Sequence, residues 1–293
     1  MLINLHQLKT AGKSLEGIFY RNYKEKLFYL TKKYKNSEKI HIKDMYKILD
    51  QKFIKNELKN KKVITGHMLF GAHKKLPEFK IKYYSTLRDP YLRAKSYYFY
   101  IMQYNKFEIT KILKKNKIKF EEFCDFSKLS KKKIKKYGFS NRAIEEIRLI
   151  VNNGQTRVIS GNTKLSEYKS YKLAKKNISK YFISLGIVEM YEKSIVILAT
   201  KMKFKFPIFL NKVNSSNSSN FKLDSEDKIK KKFYTSNYYD LKLHREYSLK
   251  IKKEINKRLI YYNLLLAINK INSYFQIIFR QLFKKIIVKL YLK

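Results

Sequence analysis

The sequence predicts an α/β domain built on a central parallel sheet, and three observations carry that expectation. Short apolar runs of strand length alternate with longer segments whose apolar residues fall at helical spacing. Gly66, Pro90 and Gly154 stand at joints between such segments, where chain reversals and helix ends need them. Hydrophobic residues make up 44% of the 293 positions and aromatic residues 15%. A substantial core is therefore expected despite a formal net charge of +44, because Tyr and Phe bury large areas per residue.

Residues Met1 to Leu5 read as the first strand. A Gly-containing turn and a helix carrying Leu15, Ile18, Phe19, Tyr23, Leu27, Leu30 and Tyr34 follow. A second helix is expected around Asp44 to Leu58, leading into the apolar strand Val63-Ile64-Thr65, which Gly66-His67 breaks. Ile81 to Leu87 reads as a strand stopping at Arg88-Asp89-Pro90, where Pro90 suits the first turn of the next helix. The lysine-rich stretch at about 106–139 has no clear period and reads either as a solvated helix pair or as an insertion. Ser140 is the expected N-cap of a helix that Asn152-Asn153-Gly154 ends. Phe182 to Ile187 reads as a further strand, followed by a helix with Ile195, Leu198, Ala199 and Met202 on one face. Asn and Ser dominate from Asn211 to Asn220, which reads as a lid or linker. Tyr238 to Lys293 contains no Gly or Pro and can be continuously helical. The division expected is one α/β domain over 1–250 and a basic amphipathic helical extension over 251–293.

Basicity alone points to a polyanion, yet the excess is spread along the whole chain and accompanies abundant Asn, Ile, Tyr and Phe. It therefore identifies no partner by itself, and nucleic acid is not expected. Cys124 is the only cysteine, which excludes an internal disulfide and a cysteine zinc site. The apolar run Met1 to Leu5 is too short for a signal peptide. The uncharged stretch Leu259 to Asn269 falls short of the about 20 apolar residues of a spanning helix. The expectation is a cytoplasmic protein, with the C-terminal helix serving either homo-oligomerisation or peripheral contact with a membrane surface.

Chemistry is concentrated in a few segments. His6-Gln7-Leu8-Lys9-Thr10-Ala11-Gly12-Lys13-Ser14 lies where a strand meets a helix, so loop amides and the helix N-terminus form an anion cradle. Gly12-Lys13-Ser14 meets the second half of a Walker A loop, but Gln7 stands where its first glycine is required. Arg88 sits at the carboxyl end of a strand, and Ser96 would face inward from the following helix about two turns on. His67 follows a strand end in Gly66-His67-Met68-Leu69-Phe70-Gly71.

Lys9-Thr10-Ala11-Gly12 resembles the K-T-A-G-T-S loop of sulfotransferases that use 3′-phosphoadenosine-5′-phosphosulfate (PAPS), with Lys13 replacing a hydroxyl residue. Arg88-Asp89-Pro90-Tyr91-Leu92-Arg93-Ala94-Lys95-Ser96 resembles the R-D-P-x-x-R-x-x-S segment of the same family. Gly66-His67 with Phe70 resembles the G-H segment of its membrane-associated carbohydrate branch, which includes the heparan sulfate 2-O-sulfotransferases. Asn153-Gly154-Gln155-Thr156-Arg157, Gly186 to Glu189 and Asp240-Leu241 resemble later elements of bacterial relatives, with His244 in place of a tyrosine.

The resemblance implies a P-loop-like three-layer α/β domain with a central parallel sheet and a C-terminal helical extension. It implies that Lys9, Thr10, Ala11, Gly12, Lys13 and Ser14 hold the 5′-phosphosulfate, and that Arg88 and Ser96 hold the 3′-phosphate. Lys9 would stabilise the leaving oxygen, and His67 would be the base for a hydroxyl acceptor, a carbohydrate. Gln155 and Arg157 would contact substrate, and no metal would be needed. The rival readings are a magnesium-dependent P-loop nucleotide kinase and a non-enzymatic basic protein that binds nucleic acid or membrane.

Overall fold

The computed structural model describes residues 1–30, 48–49, 51–204, 226–271, 274–275 and 278. Its centre is a five-stranded sheet in which every pairing is parallel. The strands are β1 (Leu2–Leu5), β2 (Leu27–Tyr29), β3 (Val63–Gly66), β4 (Lys82–Leu87) and β5 (Phe182–Ile187), in the order β2-β3-β1-β4-β5. β1 and β3 are buried at every residue, as expected of parallel strands covered on both faces.

Alternation along the strands divides the core. Leu2, Leu27, Val63 and Tyr84 meet Leu15, Ile18 and Phe19 of α1 (Gly12–Tyr23) on one face. Ile3, Leu5, Phe28, Ile64 and Tyr83 pack on the other face against Ile54 and Leu58 of α2 (Lys52–Leu58). Each such side chain, fully buried, contributes about 1.5–3 kcal/mol.

After β1 the chain passes through α1 to β2 on one side, whereas after β4 it travels through helices to β5 on the other. The direction reverses between β1 and β4. In open α/β sheets, ligands bind in the crevice outside the carboxyl ends of the strands at such a reversal. The loops leaving β1 and β4 are those that carry Lys9 and Arg88.

α3 (Pro90–Met102) starts this right-hand excursion. Pro90 occupies the first turn, and the Asp89 carboxylate accepts the Leu92 amide at 2.9 Å. The lysine-rich insertion packs as short helices: α4 (Glu108–Lys115), α5 (Phe120–Asp125) and α6 (Lys131–Lys135). Its lysines face water while Leu113, Phe123, Phe126 and Ile134 bury against Tyr91, Ala94 and Tyr97 of α3. α7 (Asn141–Val151) has the expected Ser140 cap, whose side chain accepts the Ala143 amide. After it come α8 (Gly154–Ser160), α9 (Glu167–Tyr181), α10 (Tyr191–Met202), α11 (Glu226–Ser236) and α12 (Tyr238–Lys257).

The expected first helix is too long. It ends at Tyr23, and Leu27 to Tyr29 form β2 beside β3. α12 runs on through residue 250 and packs through Ile251 and Ile255 on Leu185 and Ile187 of β5. Residues 259–271 are helical after a turn at Arg258. Tyr34, Asp44, the lid or linker expected over Asn211 to Asn220 and most of the expected helix beyond Ile271 lie outside the described residues. Among the described residues, no helix is long and apolar enough to cross a membrane.

Candidate functional site

The loop between β1 and α1 is held from below. The Thr10 hydroxyl donates to the Gln7 carbonyl at 3.0 Å, and the Thr86 hydroxyl donates to the Thr10 carbonyl at 2.6 Å. Lys9 and Ala11 adopt left-handed backbone, with φ of 62° and 61°. Such positions cost non-glycine residues about 1–3 kcal/mol each. Alternating left- and right-handed residues turn successive amides into a concavity suited to an anion. α1 then begins at Gly12 with no side-chain cap and no acidic residue in its first turn, features that suit the positive end of a helix to an anion. The His6 ring closes over Gly12, where a Cβ would stand 1.6 Å from its Nε2 and would displace the ring.

Cations converge on this loop. The Arg88 guanidinium donates to the Lys9 carbonyl at 3.2 Å, and the Arg93 Nε donates to the Leu8 carbonyl at 3.0 Å. Burial first, then Arg88 and Lys13, lower the Lys9 pKa to about 8. Its ammonium lies 4.1 Å from the centre of the Tyr100 ring, which offers a cation a negative face. Arg93 is 1% exposed, and its Nη1 is buried without a hydrogen-bond partner. Burial lowers its pKa to about 10, with Asp240 opposing the shift and Arg88 adding to it. Ser96 is buried on the same helix, as expected. Lys13 is exposed at the start of α1.

Two histidines stand beside the cradle. The His67 Nδ1–H donates to the His6 carbonyl at 2.6 Å, since a carbonyl can only accept, which leaves Nε2 of His67 as the basic nitrogen. The two rings lie 4.2 Å apart, and Nδ1 of His6 donates to the Glu16 carboxylate at 3.0 Å. Burial, and secondarily His6, lower the His67 pKa to about 3, although the carbonyl bond works the other way. His67 is therefore neutral at physiological pH.

Gln155 and Arg157 are occupied differently from the expectation of substrate contact. Gln155 is wholly buried; its amide accepts the Arg88 N–H and donates to the Arg88 carbonyl, both at 2.8 Å. Arg157 donates to the carbonyls of Asn152, Thr163 and Leu165 and to the Asn152 side chain. Both side chains are committed within the fold: Gln155 fixes the backbone of Arg88, and Arg157 ties the end of α8 to the loop after it. Behind them, buried Asp240 accepts the Gln155 and Thr156 amides at 2.9 and 2.7 Å, while Asn153 accepts the Tyr239 and Asp240 amides.

His244, in place of the expected tyrosine, contacts Glu189 at 2.9 Å; Glu189 in turn accepts the Asp89 amide. Burial alone would raise the Glu189 pKa, but these bonds and the nearby His244 hold it below the usual carboxylate value. His73 contacts the Tyr83 hydroxyl at 2.9 Å and takes no part in the cradle.

Sequence reading missed Arg93, His6, Glu16 and Tyr100 as members of this site. The spacing of Asp89 and Arg93 suggests a helix cap that also pairs with the arginine; Asp89 does cap α3, but its second oxygen accepts the Tyr234 hydroxyl at 2.7 Å and Arg93 turns to Leu8. Among the described residues, no group of three or more His, Cys, Asp or Glu side chains is arranged to hold a metal ion. No protein-family model matches this sequence, and no curated protein matches it either, so the functional reading rests on the motifs and on the site itself.

Proposed function

We infer that this chain is a sulfotransferase on a P-loop-like α/β domain, moving a sulfuryl group from PAPS to the hydroxyl of a carbohydrate acceptor. One observation carries the reading: Lys9, Arg88 and Arg93 crowd a left-handed loop at the topological reversal with their proton affinities lowered by burial, to which Arg88 adds repulsion at Lys9 and Arg93 while Glu189 and Asp89 partly offset the cost at Arg88. A polyanion relieves all of these costs together. The basic nitrogen of a neutral histidine is held beside the same loop.

PAPS supplies the electrophilic sulfur and a phosphate leaving group. The loop amides from Lys9 to Ser14 and the α1 N-terminus bind its 5′ side, and Arg88 with Ser96 takes the 3′-phosphate. Lys9 offsets negative charge on the departing oxygen, and Nε2 of His67 receives the proton of the acceptor hydroxyl. An anion bound alongside favours protonated imidazole, so the basicity of His67 rises once the donor is in place. Loose, in-line group transfer of this kind is governed by positioning and charge, by analogy with phosphoryl transfer.

Adenosine 3′,5′-bisphosphate at millimolar concentration is expected to raise Tm. Arg88→Ala is expected to weaken this compound more than adenosine 5′-phosphate. Absence of stabilisation, or equal losses for both ligands, removes the donor assignment. Radiolabelled PAPS offered with a panel of glycans then identifies the acceptor.

A further inference from the structure

Residues 259–271 form a helix with two apolar sides. One is seated on the core: Tyr262 and Leu265 are buried and Leu266 packs beside them, in a cluster with Tyr247, Ile251 and Ile255. The other carries Ile260, Leu264, Ile268 and Ile271, which recur at helical spacing and are 87%, 58%, 38% and 57% exposed. Scattered single apolar residues on a surface need no explanation, but a continuous helical stripe does. The fold satisfies one stripe of this helix and leaves the second in water.

Charge decides what fits there. All 23 acidic residues lie within the first 254 positions, so from Ile255 to Lys293 the sequence has eight basic residues and no acidic one. A second copy would bring two such stripes together, each with Arg258 and Lys270 beside it in sequence and Glu254 as the nearest acidic residue before it, on chains carrying a formal +44. Like charge across an interface opposes that association. An anionic bilayer surface offers the complement: acyl chains for the stripe and phosphate headgroups for the lysines and arginines.

We propose that residues 259–271 are a membrane-docking face that lies in the plane of an anionic phospholipid surface with Ile260, Leu264, Ile268 and Ile271 inserted. Residues 259–271 rest on the membrane and do not span it. This inference is independent of the sulfotransferase reading.

Flotation with vesicles of phosphatidylglycerol and phosphatidylcholine in equal parts, and with phosphatidylcholine alone, tests it. The full chain is expected to partition to the anionic vesicles at least about tenfold better than to the neutral ones. A variant with Ile260→Ser, Leu264→Ser, Ile268→Ser and Ile271→Ser keeps every charge and every seated side chain. It is expected to retain its Tm and lose at least about tenfold in partitioning. If that variant binds as well as the parent, the general basicity of the chain is responsible and the proposal falls. It falls equally if the parent ignores vesicles, or if sedimentation shows a dimer that the variant dissolves. Because the sequence contains no Trp, Leu264→Trp supplies a single probe whose emission shifts to the blue on anionic vesicles if the stripe inserts. An unshifted spectrum with vesicle-bound protein overturns the proposal even where the fourfold variant misfolds.

Discussion

The carboxyl edge of the sheet and the hub around Asp240 handle buried polarity in opposite ways. In the hub most polar groups answer one another, the buried Thr156 hydroxyl excepted: Asn153, Gln155, Arg157, Asn237 and Asp240 bond to backbone donors and acceptors from α7, α8, α11 and α12. At the sheet edge, Lys9 and Ala11 are left-handed, Lys9 and Arg88 repel each other, and Arg93 keeps an orphaned Nη1. An orphaned buried donor costs about 1–3 kcal/mol. Folding alone offers no return for these arrangements, and a ligand does. The hub is therefore read as scaffold, and the sheet edge as the region held ready for a partner.

Substitution can break this contrast. The largest effect is expected at His67, where His67→Ala should lower kcat by about 10²–10⁴-fold in an assay with a productive acceptor. Affinity for adenosine 3′,5′-bisphosphate should be nearly unchanged, and a parallel loss of affinity would make His67 a support of the cradle.

Next is Asp240→Ala, which orphans the buried Gln155 and Thr156 amides. A loss of about 3 kcal/mol is expected, read as a fall in Tm of about 10 °C. A fall of less than about 2 °C would show that the hub is not the scaffold it is taken for.

The smallest effect has the opposite sign. Lys9→Met removes the crowded charge while keeping the stem, and should raise the Tm of the ligand-free protein by about 2 °C at neutral pH while weakening bisphosphate binding. The Lys9 pKa is about 8 in the folded chain against an ordinary 10.5. The folded state therefore bears the cost of its charge fully below pH 8 and is relieved of it between pH 8 and 10.5. The Tm advantage of the variant should fade across that window. Bisphosphate affinity of the parent should fall as pH rises above about 8. Destabilisation by Lys9→Met at neutral pH would erase the distinction between the two regions.

The parts of this arrangement that depend on neighbours in sequence were legible, and those that depend on distant ones were not. β1, β3, β4 and β5 could be read from apolar runs bounded by turn residues, and with them the positions of Lys9, His67 and Arg88 at strand ends. β2 was hidden because Leu27 and Leu30 continue the helical spacing that begins at Leu15; only pairing of Leu27 to Tyr29 with Val63 to Thr65 makes them extended. Gln155 looked like a substrate contact because its partner, the backbone of Arg88, lies 67 residues away. Arg93 and Asp89 are one helical turn apart, which suggests a pair, but the guanidinium of Arg93 reaches Leu8, 85 residues distant. The lysine-rich insertion had no visible period because its helices are short and their apolar residues meet only in the assembled cluster.

The Gln155 clamp also has a consequence for synthesis. Lys9, His67, Arg88 and Arg93 all leave the ribosome before Asp240, but the backbone of Arg88 is fixed by Gln155, whose own helix start is fixed by Asp240. Chains emerge from the N-terminus, and domains assemble as their segments become available. A nascent chain that has not yet reached Asp240 therefore carries the cationic side chains and Gln155 without the carboxylate that seats Gln155. The order of the loop is thus set by a residue far downstream of the cations it helps to hold.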